Sequence, residues 1–283
     1  MRIRIGLAVW TAMLLCLQGS AGARADEQFF ALTRGAETLP HGRWEVYQFV
    51  TLRTGKDSGN YYGYDFDTEI EYGITDRWQA SAAVVTHSFD SHGVEGLDDT
   101  NHFYFGGGEL STKYGLLSPF KDPLGVAFRL ESGYLIHDDV GGLDENEFYL
   151  APEFDFQKNY LDDTLICDLD LGAEWAWGKK PAEEYPRELS LEAKTGVAYR
   201  FLPNWFIGAE AKVRSEYPLF DIGRFEHAAL FIGPSLHYSS QHWWATVSYL
   251  YQAWGEGFDE PDTGQTFAEE TSQIARVKIG FNF

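Results

Sequence analysis

Asp65, Asp67, Glu69 and Glu71 take every second position of one stretch. Glu153 with Asp155, and then Asp168 with Asp170 and Glu174, repeat that spacing further along the chain. Residues two apart share one face of an extended strand. The chemistry of such a face is electrostatic: a row of carboxylates draws cations and repels anions unless basic groups neutralise it. Basic groups do fall in the same phase, for Arg129, Lys194, Lys212, Arg276 and Lys278 share it with Glu109, Glu192 and Glu210. If the turns set simple hairpin registers, Glu109 faces Arg129, Lys194 faces Glu210 and Glu192 faces Lys212, each a favourable cross-strand pair. The same rule faces Asp155 with Asp168 and Glu153 with Asp170. These pairs repel unless a cation, a proton or Arg129 intervenes. It also faces Asp65, Asp67, Glu69 and Glu71 with Val85, Ala83, Ser81 and Gln79, leaving Arg43 and Arg53 on the other side as counter-charges.

Other chemistry is thinner. Nucleophilic hydrolysis needs a Ser, a His and an orienting acid or amide. Ser235 and His237 share a phase, Ser239, Ser240 and His242 follow in the next turn, and His87, His92 and His102 lie elsewhere. Neither G-x-S-x-G nor H-E-x-x-H occurs. Isolated histidines at turns are ordinary hydrogen-bonding groups, so no catalytic residue is assigned and the chain is read as a non-enzyme. The stretches GLDDTNH, HDDVGGLDENE and GFDEPDTG carry clustered Asp, but none has the twelve-residue spacing of a calcium loop. They read as solvated acidic loops. No metal site and no cofactor is expected, loop calcium being the one ion weighed for them. FGGGE at 105–109 has the glycine content of a phosphate loop, yet it sits on a strand, where Gly suits a bulge.

The elements that carry these residues are strands. From Gly42 onward, apolar and polar residues alternate with period two, as in LGVAFRLESGY, ELSLEAKTGVAY and QIARVKIGFNF. Twelve strands are expected, near 43–53, 62–72, 78–88, 105–114, 124–135, 147–157, 165–177, 188–199, 205–215, 227–238, 243–252 and 272–283. Their connections alternate between short turns (GITDR, KNYLDDT, RFLPN, SSQH) and longer acidic segments (DSHGVEGLDDTNH, AWGEGFDEPDTGQTFAEE). An even strand number puts both ends of the barrel segment on the short-turn side.

One face of these strands is apolar, with Val46, Ile70, Val84, Leu110, Leu130, Leu171, Val197 and Val247 among its members; the other carries the charges. Alternation alone does not say which face is wet. The aromatics decide it. Tyr72, Trp78, Tyr114, Tyr199, Trp205, Tyr238, Trp243 and Phe281 lie on the apolar face at the short-turn ends, and Tyr134, Phe148, Trp175, Trp177 and Tyr217 lie toward the long-loop ends. Two aromatic belts at fixed depth are what two bilayer interfaces select, whereas a soluble core has no use for them at strand ends. The fold class expected is all-β: an antiparallel up-and-down transmembrane barrel whose charged face lines a narrow lumen.

The ends of the chain agree. Arg2 and Arg4, an apolar run to Leu17 and Ala23-Arg24-Ala25 make a signal peptide over 1–25, cleaved before Asp26. A short periplasmic leader, 26–41, precedes the barrel, 42–283. The 43 acidic residues exceed the 22 basic ones, which makes nucleic acid a poor partner.

EIEYGITDRWQASAAV, STKYGLLSPFKDPLGVAFRLESGY, ELSLEAKTGVAYRFLPNWFIGAEAKVRSE and LFIGPSLHYSSQHWWATVSYL resemble the strand-turn-strand units of uncharacterised Gram-negative outer-membrane barrels, the loosely named porin-like and transporter-like proteins. The resemblance spans most of the chain after the signal peptide and brings no catalytic residues. The small sugar-acid and nucleoside channels also have twelve strands, but no local motif matches them, and sugar-acid channels need a basic lining. The last strand, with Val277, Ile279, Phe281 and Phe283 at alternate positions, resembles the C-terminal signal read by the outer-membrane assembly machinery. The expectation is a passive narrow channel for small solutes in the outer membrane of a Gram-negative bacterium, with an acidic, weakly cation-favouring lumen. Its partners would be the membrane lipids, lipopolysaccharide, the assembly machinery and an unknown solute. The alternatives are a structural or surface-interacting barrel and a lipid- or lipid-A-modifying enzyme.

Overall fold

The computed structural model describes residues 28–178, 187–258, 264–267 and 270–283. The expected signal peptide, 1–25, lies outside the described residues. All twelve expected strands form: β1 (Trp44–Thr54), β2 (Asn60–Thr75), β3 (Trp78–His92), β4 (Thr100–Leu117), β5 (Gly125–His137), β6 (Asp144–Tyr160), β7 (Leu165–Trp177), β8 (Arg187–Leu202), β9 (Trp205–Pro218), β10 (His227–Ser239), β11 (Trp243–Gly257) and β12 (Gln273–Asn282). Each pairs antiparallel with its sequence neighbours, and β1 pairs with β12 to close the barrel. Trp44 and Phe283 exchange amide-to-carbonyl hydrogen bonds, 3.3 and 2.9 Å long, at the seam. Closure leaves no sheet edge, the condition for crossing a bilayer with strands.

The faces fall as the alternation implies. Leu110, Leu171, Val197 and Val247 point outward and are exposed, while Glu45, Glu71, Asp155 and Lys278 point inward and are buried. An exposed apolar wall around a buried charged interior inverts the soluble arrangement. The outward aromatics at the short-turn end touch across strands. Trp44 lies 4.5 Å from Tyr72 between ring centroids, and Tyr238 lies 4.8 Å from both Trp205 and Trp243.

The strand registers differ from the expected ones. Tyr199 pairs with Ile207 rather than Trp205, so Lys194 faces Lys212 and Glu192 faces Arg214. Tyr114 pairs with Phe128 rather than Leu124, which sets Glu109 opposite Gly133 and Lys113 opposite Arg129. Asp155 faces Asp170, not Asp168, and Glu153 faces Gly172. Asp65 faces His87, Asp67 faces Val85, Glu69 faces Ala83 and Glu71 faces Ser81. The physical reason is the turns. Thr75 pairs with Trp78 and Leu202 with Trp205, so pairing runs to the tip, and a β-bulge just below each tip takes up the odd residue. Asn204, at φ 67°, closes the second of these turns. Tyr160 likewise pairs with Leu165 across a turn in which Leu161, Asp162 and Asp163 are left-handed. Every slip is by an even number, so partners change while faces do not.

A second departure concerns the leader. It does not stay outside the barrel on the short-turn side. Residues 28–39 run into the lumen, and Phe30 (0% exposed), Ala31, Thr33, Ala36 and Leu39 are buried there. Phe29 and Phe30 pack with Ile166, Ala198 and Phe206, and Leu32 packs with Ala229, Phe231, Leu250 and Ile274. Two of the buried apolar clusters are thus made of leader residues meeting inward-facing side chains, while Tyr47, Phe49 and Trp244, and Tyr61, Phe89 and Val94, form two more among strand and loop residues.

Candidate functional site

The leader is a re-entrant loop. It leaves β1 at the short-turn end, where Gly42 donates to Gly73 O at 2.8 Å and His41 N donates to Asp76 Oδ1 at 3.0 Å. It rises to Arg34, which stands 3.8 Å from Glu69. It then descends to Phe29, whose ring lies 4.8 Å from that of Phe206 and 5.1 Å from that of His237.

Extended backbone inside a charged barrel must find hydrogen-bond partners. Here the lumen side chains supply them. The Glu210 carboxylate accepts the amides of Ala31, Leu32 and Thr33 at 2.9, 2.8 and 3.2 Å. Asp170 Oδ2 accepts Arg34 N at 2.7 Å, Gln157 Oε1 accepts Ala36 N at 2.9 Å, and Gln79 Oε1 accepts Leu39 N at 2.6 Å. From the basic side, Lys113 Nζ donates to Gly35 O at 2.6 Å and Lys278 Nζ to Phe30 O at 3.3 Å.

Room remains on both sides of this plug. A cavity of about 710 Å³ opens among the short turns, lined by Phe29, Glu37, Pro40, Asp76, Arg200 and Asn204. A second, of about 240 Å³, lies beyond the Arg34 apex and is walled by Asp67, Glu109, Glu131, Glu174, Arg214 and Arg276.

The sequence-identified charges gather in this lumen, with partners other than those the simple registers imply. Arg129 bonds Glu131 and Glu153, at 2.5 and 2.7 Å, and not Glu109, whose carboxylate accepts the Tyr149 hydroxyl. Lys194 reaches Glu153 at 2.7 Å and Glu192 at 3.2 Å rather than Glu210, which holds the leader. Glu192 and Lys212 meet at 2.7 Å although they are not register partners, because the long side chains reach diagonally. Arg276 donates to Thr51 Oγ1 at 2.8 Å, and Lys278 lies 4.7 Å from the centre of the Phe49 ring. In the first acidic row, Arg53 forks onto both Asp65 oxygens at 2.9 Å and His87 Nδ1 meets Asp65 Oδ1 at 2.9 Å, while Glu71 accepts the Tyr47 hydroxyl at 2.6 Å. Glu174 lies 3.5 Å from Arg214. Asp155 and Asp168 are buried with neither carboxylate oxygen hydrogen-bonded, Lys113 standing 3.9 Å from Asp155.

His237 Nδ1 meets Thr246 Oγ1 at 2.7 Å, but that hydroxyl donates to Gln28 O at 2.8 Å, and the group is buried behind Phe29. The acidic loops use their carboxylates on themselves. Asp138 accepts the amides of Val140 at 2.9 Å, Gly141 at 2.7 Å and Leu143. Asp99 Oδ1 accepts Gly93 N at 2.7 Å, a bond that holds the Asp99 carboxyl below the usual carboxylate range. Part of GFDEPDTG lies outside the described residues. Gly106 is the extra residue of a bulge between Val85 and Thr86, and it gives His87 its space.

What sequence reasoning missed was the plug. A signal was present: Phe206 and Phe231 share the phase of the charges, where no lipid reaches them, and they pack on Phe29, Phe30 and Leu32 of the leader.

Residues 22–283 match the model of a family of unknown function, DUF6662, and the chain belongs to that family. No curated protein matches the sequence. Among solved structures, the chain is similar to a COG4313 outer membrane channel from Pseudomonas putida F1, with 14% identity, a TM-score of 0.60, and 88% of this chain and 98% of that one covered. It is also similar to the NanC porin, with 11% identity, a TM-score of 0.50, and 84% and 98% covered. These likenesses are likenesses of fold: the barrel is of the porin-like, outer-membrane type.

Proposed function

We propose that this member of a family of unknown function is a narrow small-solute channel of the Gram-negative outer membrane, closed at rest by its own leader. The observation that carries the reading is the construction of the lumen. Cavities at its two ends are separated by residues 28–39, and those residues are held by hydrogen bonds and side-chain packing that can release without breaking a covalent bond. A barrel serving only as a scaffold has no need of a charged interior filled by a removable segment.

The outward apolar wall and its aromatic rims support lipid and lipopolysaccharide as surroundings. Export through a signal peptide cleaved at 25, and recognition of the last strand by the assembly machinery, belong to the same proposal. When the leader withdraws, its amide donors leave Glu210 and Asp170, which then face the path together with Asp155 and Asp168, and such a lining favours cations over anions.

Single-channel recording in planar bilayers tests this, comparing the mature protein with a variant lacking residues 28–39. Both are first checked for folding by heat-modifiable gel migration. Larger or longer cation-selective openings are expected from the shortened protein. A folded, shortened barrel that stays silent overturns the channel reading and leaves the structural or surface-interacting one.

A further inference from the structure

At the long-loop end, away from the plug, three donors converge from three elements. Glu216 lies near the end of β9 and His227 opens β10, and the two are cross-strand partners whose side chains point inward. Glu270 belongs to the connection between β11 and β12. Among the described residues of that connection, Thr266 and Thr271 are held by Gln252, which is itself buried. Gln252 Oε1 accepts Thr266 N at 2.8 Å, and its Nε2 donates to Thr266 O and Thr271 O, both at 3.3 Å. Ser272 N donates to Gly55 O at 2.7 Å and fixes the far end of the segment. Glu270 is therefore held in place by its backbone, not swept in on a free loop.

The distances are those of ligands around an ion. His227 Nε2 stands 3.7 Å from Glu216 Oε2 and 3.7 Å from Glu270 Oε1, and the three donor atoms lie within 4.8 Å of one another. A separation of 3.7 Å is too long for a hydrogen bond. It is close to the roughly 3.4 Å expected between two ligands that each sit about 2.1 Å from a tetrahedral metal. The second Glu216 oxygen, Oε1, forms an ion pair with Arg214 Nε at 2.8 Å, while Oε2 is the oxygen nearer the imidazole. Arg214 is also 3.5 Å from Glu174, so its charge is compensated.

We propose that Glu216, His227 and Glu270 form a binding site for one divalent metal ion of the zinc class at the outer mouth of the lumen. An imidazole with two carboxylates suits zinc, manganese or cobalt, whereas calcium and magnesium prefer oxygen ligands alone. A bound ion ties Glu270 to β9 and β10. The inference is independent of the channel reading.

The experiment uses the untagged mature barrel in detergent, stripped with a chelator. Zn²⁺ is titrated by calorimetry, and Co²⁺ is added as an absorbing probe. One equivalent of Zn²⁺ is expected, together with visible Co²⁺ bands that Zn²⁺ abolishes. His227→Ala and the shape-preserving Glu270→Gln should each weaken Zn²⁺ by at least about tenfold while heat-modifiable migration is retained. Absence of uptake by the unmodified protein overturns the proposal. Equal affinity in the folded variants also overturns it, because the ion is then adventitious.

Discussion

Asp155 and Asp168 are placed at a cost in the lumen. A carboxylate withdrawn from water without a hydrogen bond is strongly disfavoured, and both are buried, at 0% and 3% exposure, with all four oxygens unbonded among the described residues. Lys113 and the leader are close, and the electrostatic demand is met only in part. Groups so placed gain a purpose if a permeant cation passes them. In the barrel lacking residues 28–39, replacing both by Asn should move the reversal potential in a salt gradient toward zero. An unchanged potential counts against their lining the path. Their membership of the lumen was legible from alternation alone. Their partners were not, because Asp168 faces Gln157 and Asp155 faces Asp170 only once the register set by the left-handed turn at 161–163 is known.

Between elements, the informative contact is that of the leader with β8. A Cβ at Gly196 would come within 2.6 Å of the Phe30 ring, so the strand leaves out a side chain where the plug inserts one. Gly196→Leu should expel Phe30. Overpacking of this kind costs about 1–3 kcal/mol, readable as a lower urea midpoint, and it should lengthen channel openings by loosening the plug. A drop in stability with unaltered gating would separate a packing role from a gating one. The leader's destination was hidden because 28–39 has no periodicity that assigns it to a strand or helix. The inward phase of Phe206 and Phe231 was a local sign that the lumen holds an apolar guest.

At the scale of the whole molecule, the apolar wall must match the bilayer. Leu171 is exposed midway along β7, between Leu165, which pairs with Tyr199 of the lower belt, and Trp177 of the upper. Leu171→Arg should cost about 2–4 kcal/mol and Leu165→Arg about 0–1, because the penalty falls toward the interfaces. Equilibrium unfolding into lipid vesicles measures both, and equal costs would place the membrane elsewhere. The sequence by itself determined strand number, the two faces, the aromatic rims and which end carries the long loops. Each of these follows from alternation and turn chemistry within one strand and its neighbour, and a register slip by two residues leaves them intact. Only the tertiary structure decided which charges pair, that the leader fills the lumen, and that Glu216, His227 and Glu270 meet. Those contacts join segments far apart in the chain, and their geometry depends on bulges, barrel closure and interior space, none of which has a local signature.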